Sequence, residues 1–156
     1  MRKYAANYVL STSGEFLKNG IIITGEDGSA AQFVDTKGDL REIAQLTFLN
    51  GILMAGTLFV KTNTATHNSD QPFESLVIRS VSEFTQFSIT ETIDLAKKVQ
   101  LQFPEIKIPE ILNRITTTLQ TLAGFSMEIT PGIYLLSGAD LVNLHFTPKS
   151  KLKKIL

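Results

Sequence analysis

A chain of 156 residues, 43% hydrophobic and 19% charged, is long enough to bury a core and too apolar to stay disordered. Its 15 Lys and Arg balance its 15 Asp and Glu, so no net field points to nucleic acid or an anionic membrane as partner. The absence of cysteine excludes disulfides, thiolate metal sites and cysteine nucleophiles together.

The opening MRKYAANYVLSTSG has two basic residues but no continuous apolar run, so it does not read as a signal peptide. No stretch approaches the roughly 18 uninterrupted apolar residues of a membrane helix, and a cytoplasmic address is expected. Tyr4 to Leu10 reads as a first strand and Ser11 to Gly14 as a turn cluster. Gly20 to Thr24 is a β-branched run. The following Gly25-Glu26-Asp27-Gly28 signals a hairpin, because glycine accepts the positive φ of tight turns. Ala30 to Thr36 is the returning strand, and Asp39 to Gln45 reads as one or two helical turns. Leu46 to Leu49 and Ile52 to Met54 flank Asn50-Gly51, a turn dipeptide.

A polar loop, Thr62 to Gln71, leads to Pro72. Phe73, Leu76, Val77, Val81 and Phe84 then keep roughly helical spacing, although SLVIRSV also suits a strand. Ser88 and Glu91 form a capping box for a helix that Pro104 ends. Pro109 suits the first turn of another, with Ile111, Ile115, Leu119 and Leu122 on one stripe and Gly124 as its stop. Gly132 to Ser137 and Lys151 to Leu156 read as strands joined around Gly138-Ala139-Asp140. The basic cluster Lys149, Lys151, Lys153 and Lys154 alternates with Leu152 and Ile155, as in an edge strand with solvated lysines.

β segments at both ends around a helical middle imply that the two ends share one sheet system. The residues carry a family likeness as well. GEFLKNGIIITGEDGSAAQF and LTFLNGILMAG resemble the N-terminal segment of amidohydrolase-superfamily enzymes, in the deaminase and chlorohydrolase-like branch. FSMEITPGIYLLSGADLVNLHFTPKSKLKKIL resembles their C-terminal segment, and FPEIKIPEILNRITTTLQTLAGF is similar to their last barrel helices. The resemblance covers both ends and part of the middle. It implies a composite β-sandwich made by the two terminal segments.

The catalytic barrel of that family is missing. A (β/α)₈ barrel needs at least about 200 residues, and only roughly 70 separate Gly56 from Phe125. Where the resemblance places the first His-x-His metal ligands, this chain has Lys61 and Asn63. A lysine beside a divalent ion sets cation against cation, and an amide is a weak neutral ligand. Aligned instead with the family's last barrel strand, Asn63 takes the place of an aspartate that binds metal and moves protons. An amide is no general base.

Only His67 and His145 remain as imidazoles, short of the three protein ligands typical of catalytic zinc. His67 with Asp70 and Glu74 forms a proton-transfer set for an active protein, with Lys61 nearby; acidic residues in a loop that caps a helix explain them more simply. Gly-Glu-Asp-Gly lacks the spacing and the lysine of a phosphate loop. Ser11, Ser13, Ser126 and Ser137 lack nucleophile-elbow glycines. Phe84 and Phe87 suit packing.

The expected fold is therefore mainly β with α: one domain over 1–156. Strands of 1–60 and 125–156 form a β-sandwich or partly closed barrel, and 70–124 form a helical insertion. The expected function is that of a catalytically inactive, barrel-less amidohydrolase-like protein acting as a structural or protein-interaction module, without cofactor. Its partner would be a second copy, docked through Ile111, Ile115, Leu119 and Leu122, or a full-length amidohydrolase relative. Two other readings stand beside it. One is a small-molecule binding module using the groove between sandwich and helices; the other is a metal-dependent hydrolase acting on C–N bonds near His67 and Asp70.

Overall fold

The computed structural model describes residues 1–39, 45–63 and 67–156. The protein is mixed, mainly β with α, and its strands hydrogen-bond into one eight-stranded sheet. In chain order these are β1 (Lys3–Leu10), β2 (Phe16–Lys18), β3 (Ile21–Thr24), β4 (Ala30–Val34), β5 (Leu46–Lys61), β6 (Gln86–Ser88), β7 (Phe125–Ser137) and β8 (Lys151–Lys154). The main path runs β4-β3-β1-β5-β7-β8, with β2 on β1 and β6 on β5. Strands from both ends of the chain do share a sheet. They form one connected path, where the resemblance implied a sandwich.

The chain separates into two compact units, residues 1–56 with 129–156 and residues 57–128. In the first unit the expected hairpin forms. β3 and β4 pair antiparallel, Gly28 takes φ +81°, and the Gly28 amide donates to the Gly25 carbonyl at 3.2 Å. A second, unanticipated hairpin pairs β1 with β2, and Tyr8 stacks on Phe16 with ring centroids 4.5 Å apart. The core of this unit holds Tyr4, Ala6, Val9, Leu17, Ile22, Leu53, Ile133 and Leu135. Ala30 and Phe33 of β4 pack on that cluster, and so do Ile155 and Leu156 just past β8. Both ends of the strand path thus bury the same apolar cluster, and the Gly132 amide reaches the Gly28 carbonyl at 3.3 Å. A sheet that curls onto its own ends removes apolar surface from water as two stacked sheets would.

Asn50-Gly51 does not turn the chain. β5 runs unbroken from Leu46 to Lys61, parallel to β1, and the two residues form a bulge. Ala6 pairs with Leu49 but Tyr8 with Ile52, so one extra residue of β5 stands opposite Asn7. The Asn7 side-chain oxygen accepts from the displaced Gly51 amide at 2.7 Å. Beyond the bulge residues 51 to 56 are all buried, as expected of a strand covered on both faces. The proposed helical turns at Asp39–Gln45 fall largely on 40–44, outside the described residues.

The second unit holds α1 (Pro72–Ser80), α2 (Ile89–Gln102) and α3 (Ile108–Thr121). Helix wins over strand in α1 because Phe73, Leu76, Val77 and Val81 are all buried at i, i+3, i+4 and i+8. The Ser88–Glu91 capping box is present, with bonds of 3.3 and 3.1 Å. The buried Gln100 side chain donates to the Ile106 carbonyl at 2.9 Å, tying the α2–α3 turn that Pro104 begins. Ile111, Ile115 and Leu119 are fully buried, so the stripe is this unit's own core and not an open face for a second copy. Leu122 is half-buried.

β7 and β8 pair antiparallel, and the connection between them is stiffened by Asp140. Asp140 and His145 form an isolated backbone bridge. The Asp140 carboxylate accepts from the Val142 and Asn143 amides at 3.0 and 3.1 Å and from the Asn143 side chain at 2.9 Å. The Asn143 backbone amide first, then its side chain, hold this carboxyl below the ordinary aspartate range.

Two consequences are measurable. Gly51 has φ +138°, and a Cβ there would collide with the Leu136 carbonyl oxygen of β7. Gly51→Ala should therefore cost about 3 kcal/mol or more, read as a lower urea midpoint; an unchanged midpoint would show that the bulge can relax. A depressed carboxyl pKa stabilises its turn above the unfolded value and stops doing so as pH falls through the folded one. Amide protection at Val142 and Asn143 should thus persist at pH 3.8, the ordinary aspartate value, and disappear only below it. Loss of protection already above that pH would contradict the assignment.

Candidate functional site

The residues singled out for chemistry sit at the start of the helical unit, and packing contacts engage several of them. Lys61 ends β5 with its ammonium 5.8 Å from the centre of the Phe125 ring. The amides of Thr62 and Asn63 donate to the Gly124 carbonyl at 2.9 and 3.2 Å. Gly124 has φ +77°, and a Cβ on it would meet the Asn63 carbonyl oxygen. Glycine is thus required here for close approach as well as for its turn after α3. Asn63 takes part in joining β5 to β7, which is a structural task.

His67 is exposed, and its backbone amide donates to the Leu122 carbonyl at 2.9 Å. Asp70 is also exposed, and it does not cap α1: the N-cap is Gln71, which has no side-chain cap bond. Among the described residues no three His, Asp or Glu side chains are grouped to hold a metal ion. His145 is half-buried in its bridge with Asp140. Ser11 bonds Ser13 at 2.9 Å and Ser126 bonds Thr62 at 3.2 Å, hydroxyl to hydroxyl. Phe84 meets Phe87 edge-on at 5.0 Å, a packing geometry.

Glu74 is the exception. It lies in the first turn of α1, where a carboxylate complements the helix dipole, and it reaches across to α3. Arg114 Nη2 donates to Glu74 Oε1 at 2.9 Å and Nε to the same oxygen at 3.3 Å. The guanidinium also lies 4.0 Å over the Phe73 ring, which fixes its plane. Glu74 Oε2 is shut off from solvent and accepts no hydrogen bond among the described residues. An ionised oxygen in that position is costly, so the pair is held by packing as much as by charge. A groove of about 530 Å³ runs beside it, lined by Glu74, Glu110, Asn113, Arg114, Thr117 and Leu122 among others.

The sequence drew attention to Glu74 for the wrong partner. It stands near His67 in the chain, but its fold partner is 40 residues away. Arg114 escaped notice because an arginine on the polar flank of an amphipathic helix is ordinary. Only the aromatic before Glu74, at Phe73, hinted at a cation above it.

No family model, curated protein or solved structure matches the chain.

The Glu74–Arg114 pair is partly exposed, with side-chain accessibilities of 20% and 34%, so its value is less than that of a deeply buried pair. Arg114→Ala would leave the carboxylate uncompensated and take cover from Phe73, and should cost about 2 kcal/mol. Glu74→Gln keeps an acceptor for Arg114 and places a neutral group at the occluded oxygen, and should cost less than about 1 kcal/mol. Chemical denaturation of both variants checks this order; the reverse order would refute it.

Proposed function

We propose that this chain is a non-catalytic interaction module, related to the composite β domain of amidohydrolases but without their barrel. The engagement of the site positions carries this reading. Where the family resemblance calls for metal ligands and a proton shuttle, Lys61 covers an aromatic ring and Asn63 abuts Gly124. Glu74, one of the two candidate acids that follow His67 in the chain, is committed to Arg114, and Asp70 is exposed. Strands from both ends of the chain in one sheet agree with a composite terminal domain. The length between Gly56 and Phe125 leaves no room for a barrel between them.

With Ile111, Ile115 and Leu119 inside the helical unit, a homodimer through that stripe has lost its surface. The interaction surface of this reading then lies among the exposed elements. A small-molecule reading is favoured by one observation, the groove beside the aromatic-backed Arg114. A thermal-shift screen of small anionic ligands against wild type and Arg114→Ala separates it from the leading reading.

The protein purified without chelator and then dialysed should carry no stoichiometric zinc, iron or manganese by elemental analysis. One tightly held ion per chain, lost on replacing His67 or Asn63, would overturn the non-catalytic reading.

A further inference from the structure

We propose that the open edge of β8 is a docking strand for an extended acidic segment of a partner protein, which adds to the sheet beside it. β8 is the last strand of the sheet path and, among the described residues, pairs with β7 alone. The Ile155 amide donates to the Ile133 carbonyl at 2.7 Å, which fixes the alternation of the antiparallel ladder. Lys153 and Lys151 therefore turn their backbone groups to β7. Leu152 and Lys154 turn theirs to the open side. A regular row of N–H and C=O groups at a strand edge is complementary to another peptide backbone.

The side chains define which backbone. Lys149, Lys151, Lys153 and Lys154 are all exposed, and none lies in salt-bridge range of a carboxylate among the described residues. In a chain with no net charge this is a local concentration of unneutralised cations. Because strand side chains alternate, Lys151 and Lys153 project from one face of the edge, while Leu152 and Lys154 project from the other. A strand laid along β8 with acidic residues at alternating positions would meet lysines on the first face. On the second it would meet one apolar side chain and one lysine. Opposite charges across paired strands add to the backbone bonds, and like charges oppose pairing.

The same lysines decide against two other occupants. A second copy pairing β8 to β8 would set lysine against lysine, the device by which edge strands resist self-association. A phosphate backbone could use the cations and the outward N–H groups but not the outward C=O groups of Leu152 and Lys154, nor the partly buried Leu152 side chain. Charge therefore acts as a filter on an edge that is otherwise permissive, giving specificity by rejection as well as by attraction.

This proposal deepens the interaction-module reading, yet its test is separate, since metal content is silent about β8. The full chain, labelled for NMR, is titrated with a peptide of about six residues alternating Glu and Val, a usual strand length. The controls are the Lys-for-Glu peptide, the Glu peptide with alternate residues replaced by proline, anionic phospholipid vesicles and a short single-stranded DNA. The expected result is a shift of the Leu152 and Lys154 amides with the Glu peptide alone, weakened about tenfold at high salt. Lys151→Glu with Lys153→Glu should abolish it while the remaining spectrum stays in place. If that double variant does not fold, Lys154→Pro gives the second arm, because it removes an outward donor without touching the β7 ladder. Equal binding of the proline peptide would show charge attraction without strand addition and overturn the proposal. Preference for vesicles or DNA, or the absence of shifts at β8, would overturn it too.

Discussion

The close approach of β5 to its neighbours governs the first unit. Gly51 has no side chain, so its backbone can lie against the Leu136 carbonyl while its amide turns to Asn7. That one bulge lets β5 keep a parallel register with β1 on one side and approach β7 on the other. Gly56 repeats the device, since a Cβ there would press on Thr130. Between these two glycines β5 is buried throughout, which demands neighbours on both edges and both faces. β1 from the first third of the chain and β7 from the last third are thereby brought to the two edges of β5. Ile133, Leu135 and Leu53 then enter one cluster with Tyr4 and Ile22.

The helical unit rests on different physics. Its helices are short and start well, by proline in α1 and α3 and by a capping box in α2. Their buried faces supply most of the stability, because isolated helices of this length are marginal in water. The one ion pair described there joins α1 to α3 over Phe73, so charge and aromatic surface fix the same helix–helix contact. A carboxylate used in this way is not free for proton transfer, which is why packing and the non-catalytic reading are linked.

Under the proposed reading, function lies in what the core leaves outside. β8 itself adds no side chain to the cluster around Tyr4 and Leu53, but among the described residues it carries outward backbone groups without a strand partner and lysines without a carboxylate. In the proposed docking role stability and recognition are separated: glycine-mediated approach and apolar burial hold the sheet, and its last strand faces outward. The stiff Asp140 turn before β8 fixes one end of that strand without using its open edge.

The sequence by itself determined the elements whose signals are local. Hairpin glycines, the capping box, the proline starts and the helical spacing of Phe73, Leu76 and Val77 each act within a few residues, so periodicity and turn chemistry report them directly. It also made plain that strands at both ends must share a sheet, because neither set could cover its own edges. Only the tertiary structure decided that Asn50-Gly51 is a bulge and not a turn, since the choice depends on Asn7 and Leu136, far away in the chain. It likewise decided that Glu74 belongs to Arg114 and not to His67, and that the α3 stripe faces inward. Burial and pairing are properties of surfaces that meet, and a one-dimensional pattern says which face is apolar without saying what will cover it.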